Sequence, residues 1–240
     1  MYVTAIVLAA GRGLRFRSKI TKPLAEISSQ PIIIYSLKTL DKHPEIKDIV
    51  VVANIFNREE IKSNLRKYRI RKIREVVLGG KTRRDSVRNG LKAAAGEANL
   101  VLIHDGVRPF INKEMVSEVI REAKISGAAI AGVPVKATIK KVKESLTCSG
   151  RQEKSKVKIV EKTLNRENLW EIQTPQVFRK ALILKAYKKF GNLSVTDDSM
   201  LVEKLGAKVS VVLGPYNNIK ITTPEDLILA EAIAKAWNTK

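Results

Sequence analysis

Three short segments of the chain carry residue types suited to phosphate chemistry. The first is Leu8-Ala9-Ala10-Gly11-Arg12-Gly13-Leu14-Arg15, directly after an apolar run from Val3 to Ala9. Its small residues let the backbone approach a ligand closely, and successive amides can cradle phosphate oxygens. Arg15 and then Lys22 add positive charge on the same segment. Two other phosphate motifs are excluded. Phe16 stands where a dinucleotide-binding fingerprint needs its third glycine, and Glu75 replaces the first glycine of a P-loop that would end in Gly79-Gly80-Lys81-Thr82. On these residues alone the first segment reads either as a phosphate cradle or as an ordinary tight turn.

The second segment is His104-Asp105-Gly106-Val107-Arg108-Pro109, again after a buried-strand pattern. An acid there can bind a substrate hydroxyl or orient a hydrated Mg²⁺. The plainer alternative is a helix cap or turn, and His104 reads as packed or hydrogen-bonded rather than catalytic. The third is Asn218-Ile219-Lys220-Ile221-Thr222, which places Lys220 mid-strand among apolar neighbours. It is either a solvated edge lysine or a lysine aimed into a phosphate cleft.

The elements that must position these segments alternate. Val3 to Ala9, Ile49 to Ala53, Glu75 to Leu78, Val101 to His104 and Ala128 to Val133 read as fully buried strands. Between them lie helical patterns. Pro31 suits the first turn of one, Thr82 with Asp85 forms a capping-box pattern, and Asn112 suits an N-cap. Further helices are expected near Lys180 to Lys189 and Asp198 to Lys204, with a strand from Val209 to Leu213 between them and a last helix opened by Thr223-Pro224-Glu225-Asp226. The expected fold class is α/β: a Rossmann-like, mostly parallel sheet sandwiched by helices, as one domain over residues 1–240. The pattern breaks over residues 137–166, which are rich in Lys, Glu, Ser and Thr. Ile139 to Val142 and Val157 to Val160 read as two polar strands of a projecting β-hairpin arm, or the whole stretch is a surface loop. In such a sheet, ligands bind at the C-terminal ends of the strands.

Composition narrows the partners. The chain has 240 residues, enough to bury about 70% of the unfolded surface around one core. The formal net charge of +21 suggests an anionic partner, but the basic residues are spread along the chain and aromatics are only 5%, which argues against nucleic acid. No apolar run is long enough for a membrane helix. The start Met1-Tyr2-Val3-Thr4 shows no basic leader, so a cytoplasmic location is the default. The one cysteine, Cys148, excludes an intrachain disulfide and reads as an incidental thiol.

The chain resembles the 2-C-methyl-D-erythritol 4-phosphate cytidylyltransferase family of the non-mevalonate isoprenoid pathway. The matching pieces are LAAGRGLRF, the lysine of TKPL, GGKTRRDSV, HDGVRPF, PVKATIKKV, NRENLWEIQTPQVF, VTDDS and NNIKITTPEDLILAEA, in this order across essentially the whole chain. The resemblance implies an Mg²⁺-dependent transfer of a cytidylyl group from CTP to a small polyol phosphate, with release of pyrophosphate. It implies that Ala9, Ala10, Gly11, Arg12 and Gly13 line the CTP site and that Gly80, Arg83 and Ser86 hold cytosine and ribose. Arg15 and Lys22 would grip the triphosphate, and Lys220 would meet the α-phosphate and the acceptor's phosphate. Asp105, Arg108, Thr138, Arg166, Thr174 and Thr196 would form the acceptor site, with Asp105 holding the metal through water. Thr138 and Arg166 would come from a partner subunit's arm, which implies a homodimer and favours an ordered arm.

Two positions depart from the family pattern. Pro23 follows the lysine where Gln is usual, and Ala137 stands where an Asp usually precedes the acceptor-site threonine. A sister family that acts on ribitol 5-phosphate shares HDGVRPF and IKITTP, whereas Arg84-Asp85-Ser86 and Leu169-Trp170 favour the methylerythritol family. A basic nucleic-acid-binding relative without activity is the alternative of another class, and the retention of Arg15, Lys22, Asp105 and Lys220 argues against it.

Overall fold

Strands covered on both faces need mostly apolar side chains, and the first strand meets that demand at every position but Thr4, which is buried as well. In β1 (Val3–Leu8) all six residues are buried. Val3, Ala5 and Val7 enter one apolar layer, and Ile6 and Leu8 enter the other. The computed structural model describes residues 1–11, 21–149 and 153–237. After β1 the strands are β2 (Glu26–Ile27), β3 (Gln30–Pro31), β4 (Ile46–Ala53), β5 (Ile73–Leu78), β6 (Leu100–Asp105), β7 (Ala128–Pro134), β8 (Lys140–Ser149), β9 (Glu153–Thr163), β10 (Trp170–Arg179) and β11 (Ser210–Leu213). The helices are α1 (Ile32–Lys42), α2 (Arg58–Lys67), α3 (Arg83–Ala93), α4 (Lys113–Ser126), α5 (Lys180–Phe190), α6 (Ser199–Glu203) and α7 (Pro224–Trp237).

Seven strands form one sheet in the order β11-β7-β10-β6-β1-β4-β5. Neighbours run parallel except at β10, which is antiparallel to both β6 and β7. Helices α1, α2 and α4 cover one face, and α3, α5 and α6 cover the other. The chain steps outward from β1 through β4 to β5, and α3 then carries it back to β6 on the other side of β1. The strand order therefore reverses between β1 and β6, and a crevice opens at their C-terminal ends. There Leu8 lies in register with Asp105.

Local signals explain several boundaries. Thr82 and Asp85 form a reciprocal capping box at α3, and Asn112 accepts the Met115 amide at the start of α4. Gly127, at φ 89°, ends α4 in the left-handed region. The expected polar strands of the arm are present and longer than the sequence suggested, pairing as an antiparallel hairpin, β8 with β9.

Three expectations need correction, and two elements were not expected at all. Glu75 to Leu78 is not a fully buried strand: β5 lies at the sheet edge, and of its residues only Val76 is buried. Pro31 precedes α1 as its N-cap instead of sitting in the first turn. Lys220 is not mid-strand, because the strand ends at Leu213 and residues 218–222 are extended chain outside the ladder. That stretch is tied down by scattered bonds, among them Ile221 N donating to the Val107 carbonyl at 2.9 Å. Finally, β10 and α2 had no sequence counterpart. Pro175 interrupts the apolar pattern of β10, and its pairing with β7 is irregular between Ile172 and Gln176.

Gly90 lies in α3 where the helix meets the sheet. A Cβ built there would stand 2.5 Å from Ile6 Cγ2 and 3.1 Å from Val52 Cγ2, both in fully buried residues. Alanine normally stabilises a helix interior over glycine by about 0.5–1 kcal/mol. Here Gly90→Ala is expected to destabilise by about 1–3 kcal/mol through overpacking. A lowered urea midpoint with an unchanged slope is the expected result, and a raised midpoint would show that the contact is not tight.

Candidate active site

Asp105 closes β6 at the crevice and is only 7% exposed. Its Oδ2 receives Lys220 Nζ at 2.7 Å, and its Oδ1 faces Arg83 Nε at 3.4 Å. Burial alone would raise its pKa, but Arg83, Lys220 and Arg108 more than offset this and hold the carboxyl well below the usual range. Arg108 is itself buried and donates from Nη1 to the Asn218 carbonyl at 2.8 Å. Its own pKa is lowered by burial.

A hydrogen-bonded frame fixes this corner. Thr174 lies in the irregular part of β10, released from regular pairing. Its Oγ1 accepts the Asp105 amide at 3.1 Å and lies 3.0 Å from His104 Nδ1. His104 Nε2 lies 3.0 Å from the Arg108 carbonyl. A carbonyl only accepts, so Nε2 carries the proton and Nδ1 accepts from the Thr174 hydroxyl. The imidazole is fully buried, and desolvation pushes its pKa down to about 4. Asn218 Nδ2 completes the frame with bonds to the Gln173 Oε1 and the Thr174 carbonyl, both at 2.9 Å.

The other wall is built from loops at the ends of β1 and β5. Asn57 Nδ2 donates to the Ala9 carbonyl at 2.9 Å, and Asn54 Nδ2 to the Ala10 carbonyl at 3.3 Å. A Cβ on Gly79 would meet Ala10 Cβ at 2.4 Å, and one on Gly80 would meet Asp85 Cβ at 2.3 Å, so only glycine fits against these side chains at either position. Gly80 N donates to Ser86 Oγ at 3.2 Å. Space beside Gly11 is open, with nothing within 4 Å of a built Cβ. Arg12, Gly13 and Arg15 lie outside the described residues. Lys22 Nζ donates to the Thr222 carbonyl at 2.7 Å, which joins the first segment to the segment that carries Lys220.

A cleft of roughly 610 Å³ is lined by Arg83, Asp105, Arg108, Thr174, Thr196 and Lys220 among the residues expected from sequence. Gln173, Gln176, Asp197 and Ser199 also line it. Thr138 and Arg166 do not: both are exposed at the base of the arm, where Arg166 donates to the Lys136 carbonyl. Sequence reasoning missed Asn57, Tyr187 and Asp198 as structural partners of the site. The signal for Asp198 and Gln173 was their place inside the VTDDS and QTPQ pieces, next to residues already singled out. Among the described residues no group of three or more His, Cys, Asp or Glu could hold a metal ion, and no helix is long and apolar enough to cross a membrane.

A doubly covered sheet whose crevice gathers cations around one carboxylate, beside a loop of small residues, defines a nucleotide-binding protein built to handle phosphates. The family model for 2-C-methyl-D-erythritol 4-phosphate cytidylyltransferase matches residues 3–236, and the chain belongs to that family. It is 43% identical over 234 residues to the enzyme of that name from Alkaliphilus metalliredigens, covering 96% of this chain and 92% of the relative. The crystal structure of 4-diphosphocytidyl-2C-methyl-D-erythritol synthase from Anaerococcus prevotii superposes with a TM-score of 0.82 at 37% identity, covering 98% of this chain and 96% of the other. The Thermus thermophilus cytidylyltransferase structure gives 0.73 at 29% identity, covering 98% and 100%.

The depressed pKa of His104 has a consequence for stability. The unfolded chain takes up a proton at this position below about pH 6.5, whereas the folded chain refuses it until about pH 4. The unfolded state therefore binds more protons across that window, and stability falls as pH drops through it, by about 3 kcal/mol in total. Urea unfolding of wild type and His104→Gln between pH 7 and 4 is expected to show a shallower slope in the variant. Equal slopes would mean that His104 charges within the fold.

Proposed function

We propose that the protein transfers the cytidylyl group of CTP to 2-C-methyl-D-erythritol 4-phosphate in the non-mevalonate route to isoprenoid precursors. Family membership supports the reaction, and the observation that carries it in the structure is the gathering of Arg83, Arg108 and Lys220 around Asp105 in the crevice. A phosphate oxygen of the acceptor attacks the α-phosphorus of CTP. A new P–O bond forms as the bond to the β-phosphate oxygen breaks, and pyrophosphate leaves with the electron pair.

Both reactants are anions, and the nucleophile is already ionised, so no general base or covalent intermediate is needed. The barrier is repulsion, together with charge gathered on the α-phosphoryl oxygens. Lys220 answers it by position: it is held beside the crevice at 2.7 Å from Asp105 before substrate arrives. Lys22 and Arg15 lie on the segment assigned to the triphosphate, and Lys22 is linked to the Lys220 segment through Thr222. The backbones of Ala9, Ala10 and Gly11 would carry the nucleotide against Gly80 and Ser86, where a pyrimidine's small ring suits the close approach of Gly79 to Ala10.

Asp105 fits a role in holding Mg²⁺. A single carboxylate is a common protein share for this ion, whose other ligands are phosphate oxygens and water. Mg²⁺ bound there would neutralise phosphoryl charge. Thr138 and Arg166 lie apart from the cleft of their own chain. This supports an acceptor site completed by the arm of a second copy, in a homodimer.

Pyrophosphate release with CTP and Mg²⁺ tests the reaction. Turnover is expected with methylerythritol phosphate and is expected to be poor with ribitol 5-phosphate; the reverse order would move the protein to the sister activity. Lys220→Ala is expected to lower kcat about 10²–10³-fold, like the loss of one preorganised donor. Mixing Lys220→Ala with Arg166→Ala protein is expected to restore part of the activity, because a mixed dimer contains one intact site. No recovery in a mixture shown to exchange subunits would place Arg166 in its own chain's site or in none.

A further inference from the structure

The reaction as written makes no use of two buried groups, Tyr187 and Asp198, yet one side chain ties both to it. Arg83 is the first residue of α3. Its Nη1 donates to Asp198 Oδ2 at 2.8 Å, while its Nε stands 3.4 Å from Asp105 Oδ1. Asp198 is 1% exposed, and its Oδ1 accepts the Tyr187 hydroxyl. Tyr187 is packed in the apolar layer of α5 and α6. A line of contacts thus runs from that layer through Asp198 and Arg83 to Asp105 and Lys220.

The position of Asp198 makes this arrangement informative. It stands directly before α6, where an acid usually accepts the free amides of the first turn. Asp198 makes no such bond. Asp197 does the capping instead: its Oδ1 accepts the Met200 amide at 3.2 Å, and its Oδ2 accepts from Ser199 Oγ and Gln176 Nε2, each at 2.8 Å. Of two adjacent acids, one serves the helix and the other is turned inward. A buried carboxylate is costly unless it is paired, so its partner tells what it is for.

That partner is the guanidinium that Asp105 also faces. Its short contact goes to Asp198 and its long one to Asp105, whose other oxygen holds Lys220 at 2.7 Å. A guanidinium released from Asp198 would be free to close on Asp105 with two parallel bonds, the arrangement such pairs favour. Both Asp105 oxygens would then be engaged at short range.

We propose that Asp198, braced by the Tyr187 hydroxyl, is a positioning residue that keeps Arg83 in a single long contact with Asp105 Oδ1 and out of a two-bond clamp, so that this oxygen can be taken over by the acceptor and its metal. The inference rests on the cytidylyl transfer proposed above. Asp198 and Tyr187 touch no reactant and act through Arg83.

The test joins crystal structures to kinetics. In Asp198→Asn, the Arg83 guanidinium is expected to move into two-bond contact with Asp105. The kcat/KM for methylerythritol phosphate is expected to fall about 10–100-fold, the usual cost of losing an outer partner. Most of that fall is expected in the acceptor KM. Tyr187→Phe keeps the ring and its packing, so it is expected to fold as wild type does and to give a smaller fall in the same constant. In an Arg83→Ala background, Asp198→Asn is expected to change nothing further. An Arg83 that stays in place in both crystals, or effects that add in the double variant, would overturn the proposal. A wild-type enzyme with no turnover would count against the reaction, and the movement of Arg83 would still decide the positioning on its own.

Discussion

The site depends on one buried charge. A carboxylate at the end of a central strand is unfavourable unless cations stand close, and Asp105 meets Lys220 at 2.7 Å and Arg83 at 3.4 Å. Those cations come from α3 and from the extended segment after β11, which are far apart in sequence. Arg108 follows on the same loop. The charge balance of Asp105 therefore ties together parts of the chain that the hydrophobic layers alone would leave free to shift. The dominant influence on its pKa is still desolvation, which the cations overcome. Removing any one of them would shift that balance toward the protonated acid.

The sheet supplies the place for this charge, and its irregularities supply the geometry. Reversal of strand order beside β1 leaves the ends of β1 and β6 side by side, with Leu8 in register with Asp105. A regular β10 would spend its backbone on the ladder with β7. Its break between Ile172 and Gln176 instead leaves the Thr174 carbonyl to accept from Asn218, while the side chains of Gln173 and Thr174 meet Asn218, His104 and the Asp105 amide. Lys220 lies outside a strand for a related reason: a pleated ladder would alternate its neighbours, whereas separate bonds from Asn218 and Ile221 fix the chain on either side and leave Lys220 directed at the crevice.

Much of the scaffold was legible because it follows from local rules. Thr82 and Asp85 announce a capping box that the structure contains, and Asn112 announces a cap. The apolar runs of β1, β4 and β6 could only be covered strands. What was not legible depends on tertiary pairing. Trp170 to Arg179 carries Pro175, which argues against a strand, yet it forms the antiparallel strand between β6 and β7. Glu75 to Leu78 looked buried because its composition resembles a core strand, and nothing local shows that it ends the sheet. At the site, Asp105 and Lys220 were named separately, but their contact joins residues more than a hundred positions apart. The division of duties between Asp197 and Asp198 has no local signature at all, since both are acids before a helix.

The pairing of Lys220 with Asp105 also bears on how an anionic substrate is received. Lys220 has a side chain 41% exposed, while that of Asp105 is 9% exposed, so the pair is reached from the lysine's side. An arriving phosphate meets the ammonium first and can take it over by a small movement, because the flexible stem of lysine carries a single point charge. Asp105 is not left uncompensated by that exchange, since Arg83 and Arg108 remain within the buried corner. A pair of equal burial could not behave in this way: breaking it would strand a charge in a dry site. The asymmetry of exposure, together with Arg83 and Arg108 beside Asp105, makes Lys220 transferable without loss of the fold that presents it.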